Sequence, residues 1–181
     1  ILTGRAKKML FGSPVGTRIA SGKARVIMDA KHISQFQKGE ILVTDMTDPD
    51  WEPIMKIASG IITNRGGRTC HAAIISRELG IPCIVGTNVA TNKIYTGQMV
   101  TLSCAEGEKG FVYDGKVSFK VKKTNLKNFQ KPKTKVMLNI GSPDIAFKSS
   151  FIPNDGVGLA REEFIINDYI DIALEIGADG V

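Results

Sequence analysis

Apolar residues along this chain gather in short runs separated by glycine, proline and acidic turns, and those runs set the expected elements. Ile41-Leu42-Val43, bounded by Gly39-Glu40 and Asp45, reads as a buried strand. Ile61-Ile62-Thr63 reads as a second and Ile81 to Val85 as a third. Asp48-Pro49-Asp50-Trp51-Glu52-Pro53 opens a helix, because acids in the first turn suit the helix dipole and proline is tolerated there. Ile54, Ile57 and Ala58 give that helix its apolar face, and Gly60 is expected to close it. Ala72, Ile75 and Leu79 fall at i, i+3 and i+7 of a second helix, with Gly80 at its C′ position. Two βα steps with short connections describe an α/β layer.

The flanking segments alternate differently. Gly12-Ser13-Pro14-Val15-Gly16 is turn chemistry, and Thr17 to Met28 reads as a strand or a hairpin broken at Ser21-Gly22. Ile33 to Gln37 is a short segment ending at Lys38-Gly39. Gln98 to Ser103 and Gly110 to Val121 read as short strands, the latter turned as a hairpin at Asp114-Gly115. Residues 1–121 are therefore expected to form one domain, a mixed sheet with few helices. Residues 122–135, rich in Lys, Asn, Gln and Pro, read as an exposed linker. Val136 to Ile140, Gly156 to Arg161 and the helical spacing of Phe164, Ile165, Tyr169, Ile172 and Ile176 make 136–181 the opening of a second α/β domain.

Composition narrows the class. The chain has 181 residues and does not begin with Met, which suggests a piece of a longer protein. Its longest apolar runs fall far short of the roughly 20 residues needed to span a bilayer, so no membrane partner is expected and the reading is soluble and cytoplasmic. Three cysteines without CxxC spacing, Cys70, Cys83 and Cys104, argue against a disulfide framework and a zinc site. The net charge of +6 is local: eight lysines and no acid lie between Lys116 and Lys135. Such a run can hold nucleic acid, but without arginines and regular aromatic interleaving a solvated linker is the better reading.

The chemistry centres on Thr63-Asn64-Arg65-Gly66-Gly67-Arg68-Thr69-Cys70-His71, where a strand turns into a helix. At a helix start the dipole disfavours imidazolium, so His71 stays neutral and nucleophilic, and an anion placed there can meet free backbone N–H groups. Gly66 and Gly67 allow close approach of a phosphoryl donor. Arg65 and Arg68 can neutralise phosphates, and Thr69 offers a helix cap. A bare histidine in this position more often caps or packs than reacts, and spacing alone leaves both readings open. No second histidine or carboxylate stands at metal-ligand spacing, and His32 reads as a surface residue.

Gly66 to Arg77 resembles, position for position, the phosphohistidine signature of the PEP-utilising enzymes. Val43 to Pro53, Thr101 to Gly107 and Gly156 to Phe164 resemble the same family, and the likeness runs to Asn167 but not through Asp168 to Val181. The resemblance implies a swivelling β/β/α phosphohistidine domain followed by an incomplete piece of a TIM-type barrel. It implies that His71 takes a phosphoryl group at an ATP-grasp domain and delivers it to pyruvate in the barrel, giving PEP, AMP and phosphate from ATP, pyruvate and water. Other members charge the histidine from PEP and pass the group to a carrier protein, or use phosphate in place of water. By similarity Arg161 contacts the phosphoryl group of PEP, Mg²⁺ is bound by residues beyond this chain, and Thr69 is the target of a bifunctional regulatory kinase and phosphorylase.

Overall fold

The computed structural model describes residues 2–4, 6–121, 130–140 and 143–160. Contacts divide the chain into two units, Ile1–Lys122 and Lys123–Val181.

The first unit is built on a closed seven-stranded barrel. Its strands are β1 (Lys8–Val15), β2 (Ile19–Val26), β3 (Ile41–Thr44), β4 (Gly60–Thr63), β5 (Cys83–Val85), β6 (Met99–Ser103) and β7 (Gly110–Asp114). Around the barrel the order is β1-β5-β4-β3-β2-β6-β7, with β7 pairing back onto β1. The run β2-β3-β4-β5 is parallel, and the remaining pairings are antiparallel. Strands β3, β4 and β5 are buried at every position, which is why they read as unbroken apolar runs rather than alternating ones. Ile41, Val43, Ile62, Ile84, Val100, Leu102 and Val112 fill the barrel core. The short helix α3 (Ala90–Lys93) adds Ala90 to it, and Ile94 follows.

Helix α1 (Glu52–Met55) follows a 3₁₀ turn, Pro49–Trp51, capped by the Asp48 side chain, which accepts from Asp50 N. Helix α2 (His71–Leu79) buries Ala72, Ala73, Ile75 and Ser76 and ends at Gly80, whose φ of 66° is the left-handed cap expected there.

Four turn assignments are corrected, and each has a cause distant in sequence. Gly12 to Val15 belongs to β1, the point where that strand leaves β7 for β5; a Cβ on Gly12 would stand 2.5 Å from Val85 O. β2 runs unbroken through Ser21-Gly22, with Gly22 leaving room for the carbonyl of Gly39. Gly60 begins β4 rather than capping a helix, since a Cβ there would meet Leu102 Cδ2 at 2.5 Å. Asp114-Gly115 ends β7 without pairing it to a following strand among the described residues: Gly115 N donates to Met99 O, Val117 N to Thr101 Oγ1, and Phe119 bridges to Leu2.

In the second unit β8 (Leu138–Ile140) and β9 (Val157–Ala160) are parallel and joined through helix α4 (Pro143–Ser150). Asp155 accepts from Val136 N at 2.9 Å and pairs with Lys131 at 3.2 Å. Phe147 and Phe151 meet edge to face with ring centroids 5.4 Å apart. Arg161 and the helix expected over 162–176 lie outside the described residues, as does much of the linker. Among the described residues no helix is long and apolar enough to cross a membrane.

Candidate active site

Parallel strands β3, β4 and β5 bring their C-terminal ends to one rim of the barrel, and the loops that leave them carry the candidate chemistry. The ends are laced together by polar groups. Asn64 N donates to Thr44 O, Asn88 N to Asn64 O, and Thr87 donates to Thr63 O through both its backbone N and its hydroxyl. Thr44, Thr63 and Thr87 are all buried, so a polar floor underlies the rim. Asn64, also buried, uses its whole amide: Nδ2 donates to Thr91 Oγ1 at 2.7 Å and to Asp45 Oδ1 at 3.3 Å, and Oδ1 accepts from Thr91 N.

His71 is the first residue of α2 and half-buried. Its Nδ1 lies 3.0 Å from Oγ1 of Thr47, which is buried in the loop after β3. Burial lowers the His71 pKa below its ordinary value, against the opposing pull of the Glu52 and Asp48 carboxylates. The dipole of α2 acts in the same direction as burial.

The residue before α2 is Cys70, not Thr69, and it makes no side-chain capping bond. Thr69 is exposed in the turn ahead of it, so the expected Thr69 cap is absent. Gly66 has φ +113°, a region closed to L side chains, and a Cβ there would stand 2.7 Å from Cys70 Sγ. Gly67 faces open space. The two arginines differ. Arg65 makes a two-pronged pair with Asp45, and Asp45 is held well below the usual carboxylate range, first by that bond. Arg68 pairs with Glu108 at 2.9 Å on the open surface, and its carbonyl accepts from Arg77 Nη2 at 2.6 Å.

The site thus gathers His71, Gly66, Gly67, Arg65, Arg68 and Thr69 on one turn and adds Thr47 and Asp45, which the sequence reading passed over, and Asn64, named there within the motif without a role. The signal that points to Thr47 is the pair of βα steps: successive parallel strands set the loop after β3 beside the loop after β4. His32 is exposed on the 3₁₀ segment Ala30–Gln35. Among the described residues no group of three or more His, Cys, Asp or Glu is placed to hold a metal ion. The Mg²⁺ implied by the resemblance therefore finds no ligand set in them.

Residues 36–107 match the family described as PEP-utilising enzyme, mobile domain. That segment is similar to the mobile domain of the PEP-utilising enzymes. It is 65% identical over 161 residues to a phosphoenolpyruvate synthase of Aquifex aeolicus, covering 89% of this chain and 19% of the relative. To a phosphoenolpyruvate synthase of Helicobacter pylori it is 56% identical over 162 residues, covering 90% of this chain and 20% of the relative. The chain thus spans about a fifth of the length of these relatives. A solved structure of Enzyme I is 29% identical over 44% of this chain and 33% of its own, with a TM-score of 0.39, too loose a superposition to carry an argument.

Proposed function

We infer that this chain is the phosphoryl-carrier part of a phosphoenolpyruvate synthase, with His71 as the nucleophile. The observation that carries the reading is the Thr47–His71 contact at the start of α2. With Nδ1–H donating to Thr47 Oγ1, the free lone pair sits on Nε2, the nitrogen able to attack. Burial keeps the ring neutral, so the lone pair is available near pH 7.

In the first half-reaction Nε2 attacks the β-phosphorus of ATP. A P–N bond forms, the bridging P–O bond to AMP breaks with its electron pair leaving on AMP, and water then cleaves the terminal phosphoanhydride, releasing phosphate and leaving phosphohistidine. In the second, the enolate oxygen of pyruvate attacks the phosphorus of phosphohistidine; the P–N bond breaks and its pair returns to Nε2. Splitting the transfer in two lets one histidine serve two acceptors. The two reactant sites belong to other domains of the whole enzyme, so the carrier travels between them. The unit of β8, α4 and β9 is the opening of the PEP and pyruvate barrel, and Arg161 contacts the phosphoryl group of PEP there. Mg²⁺ is held outside the described residues. Thr69, exposed two residues before His71, is accessible to a regulatory kinase whose phosphate would repel the donor.

Incubating the whole enzyme with β-labelled ATP tests this reading. An acid-labile, base-stable label on the peptide bearing His71, chased into PEP by pyruvate, is the expected result. A label confined to any other peptide would sink it.

A further inference from the structure

The turn ahead of His71 carries two guanidinium groups, and the structure ties them down unequally. Arg65 is bound to Asp45 at three points: its backbone N donates to Asp45 O at 2.9 Å, its Nε to Asp45 Oδ2 at 2.8 Å, and its Nη2 to the same oxygen. Its own carbonyl accepts from Thr63 Oγ1 at 2.7 Å. Asp45 in turn is 27% exposed and held by a further donor, Asn64 Nδ2, itself locked to Thr91. Arg68 has a fixed backbone but a loosely held head group, because its partner Glu108 is 92% exposed.

The consequence differs for an arriving phosphate. For Arg65 to reach it, the exposed guanidinium would have to leave both of its contacts to Asp45 Oδ2, stripping that carboxylate of its main charged donor. Arg68 would give up a surface pair of little worth, and water would resolvate Glu108.

The connectivity points the same way. Asp45 lies two residues before Thr47 on the loop after β3, and Arg65 lies on the loop that leads to His71. Their pairing crosses from one loop to the other, as the Thr47–His71 hydrogen bond does.

We propose that the two arginines have separate roles: Asp45 and Arg65 form a fixed strut that positions Thr47 against His71, while Arg68, resting on Glu108, is the guanidinium that turns to the phosphoryl group. This assignment rests on the carrier reading above. Asp45, Arg65 and Asn64 are positioning residues. Arg68 is the residue that meets the anion, and Glu108 holds its place between turnovers.

The test uses the whole enzyme with ¹⁵N-labelled histidine, following the His71 imidazole titration by NMR alongside His71 labelling at varied ATP. Arg68→Met is expected to lower the second-order labelling constant about tenfold to a hundredfold, as loss of one charged contact does, with the His71 titration unmoved. Glu108→Gln is expected to label at least as fast as the wild type. Asp45→Asn and Arg65→Met should both shift the His71 titration and slow labelling at saturating ATP, and the double variant should be no worse than either alone. Arg65→Lys, which keeps charge without the fork, should fall between.

A neutral Arg68→Met overturns the proposal. So does an Arg65→Met enzyme that needs more ATP while its His71 titration stays in place. A wild-type enzyme that takes no label overturns the carrier reading and the role of Arg68 with it, while the His71 titrations still decide the strut.

Discussion

Thr47 and His71, separated by 24 positions in the chain, meet at 3.0 Å between Oγ1 and Nδ1 because β3 and β4 run parallel and end at the same rim. A hydroxyl that accepts from Nδ1–H leaves Nε2 as the free nitrogen. Thr47→Val, which keeps the shape and removes the hydroxyl, should slow His71 labelling about tenfold, on the order of one lost hydrogen bond. Thr47→Ser should restore most of the rate. A rapid-quench labelling assay compares the three proteins, and a Thr47→Val enzyme as fast as the wild type would remove the hydroxyl from the mechanism.

The pH dependence follows from what surrounds that ring. Burial favours neutral imidazole, while the Glu52 and Asp48 carboxylates favour the cation. Labelling should therefore persist below the ordinary histidine range and fail on the acid side when His71 protonates. Glu52→Gln removes one of the groups that raise the pKa, so the acid limb should move to lower pH. The linkage has the same sign for stability: as pH falls past the ordinary histidine range the unfolded ring binds a proton first, and the folded state loses stability until its own lowered pKa is passed. A pH–rate profile of the variant moving to higher pH would contradict this electrostatic assignment.

The two glycines of the turn should respond differently. Gly66→Ala forces a side chain into φ +113° and against Cys70 Sγ, and should cost about 1–3 kcal/mol. Gly67→Ala meets nothing within 4 Å and should change stability by no more than about 0.5 kcal/mol. Denaturant melts of the two variants check the contrast, and equal losses would contradict it.

Thr69 tests the proposed regulation. A carboxylate two residues from the nucleophile would repel donor phosphates, so Thr69→Glu should abolish labelling while Thr69→Ser leaves it intact. Normal labelling of Thr69→Glu would remove the electrostatic block.

These residues also mark what local sequence reveals. Strand β3 and helix α2 were legible because their signals are local: an unbroken apolar run, an i, i+3, i+7 face, a Gly80 cap. The glycine at 60 was misread because its reason is Leu102, 42 residues later on a strand that packs over it. Gly12 and Gly22 likewise answer to Val85 and Gly39. Asp114-Gly115 carries a hairpin signal, but β7 finds its partners in β6 and β1, so the turn is not used. Barrel closure was hidden for the same reason: it depends on β1 changing partners from β7 to β5. At the site, His71 and its turn stood out as a contiguous motif. Thr47 and Asp45 did not, nor did the role of Asn64 within that motif, since these contacts exist only once parallel strands bring three loops together.

The proposed function stands or falls on whether His71 itself carries the phosphoryl group. The direct measurement is β-labelled ATP with the whole enzyme and its His71→Asn variant, which keeps a polar side chain at the start of α2 without the nucleophilic nitrogen. The wild type should take an acid-labile, base-stable label on His71, and the variant should take none while melting at the same temperature. A His71→Asn enzyme that still acquires that label would contradict the account.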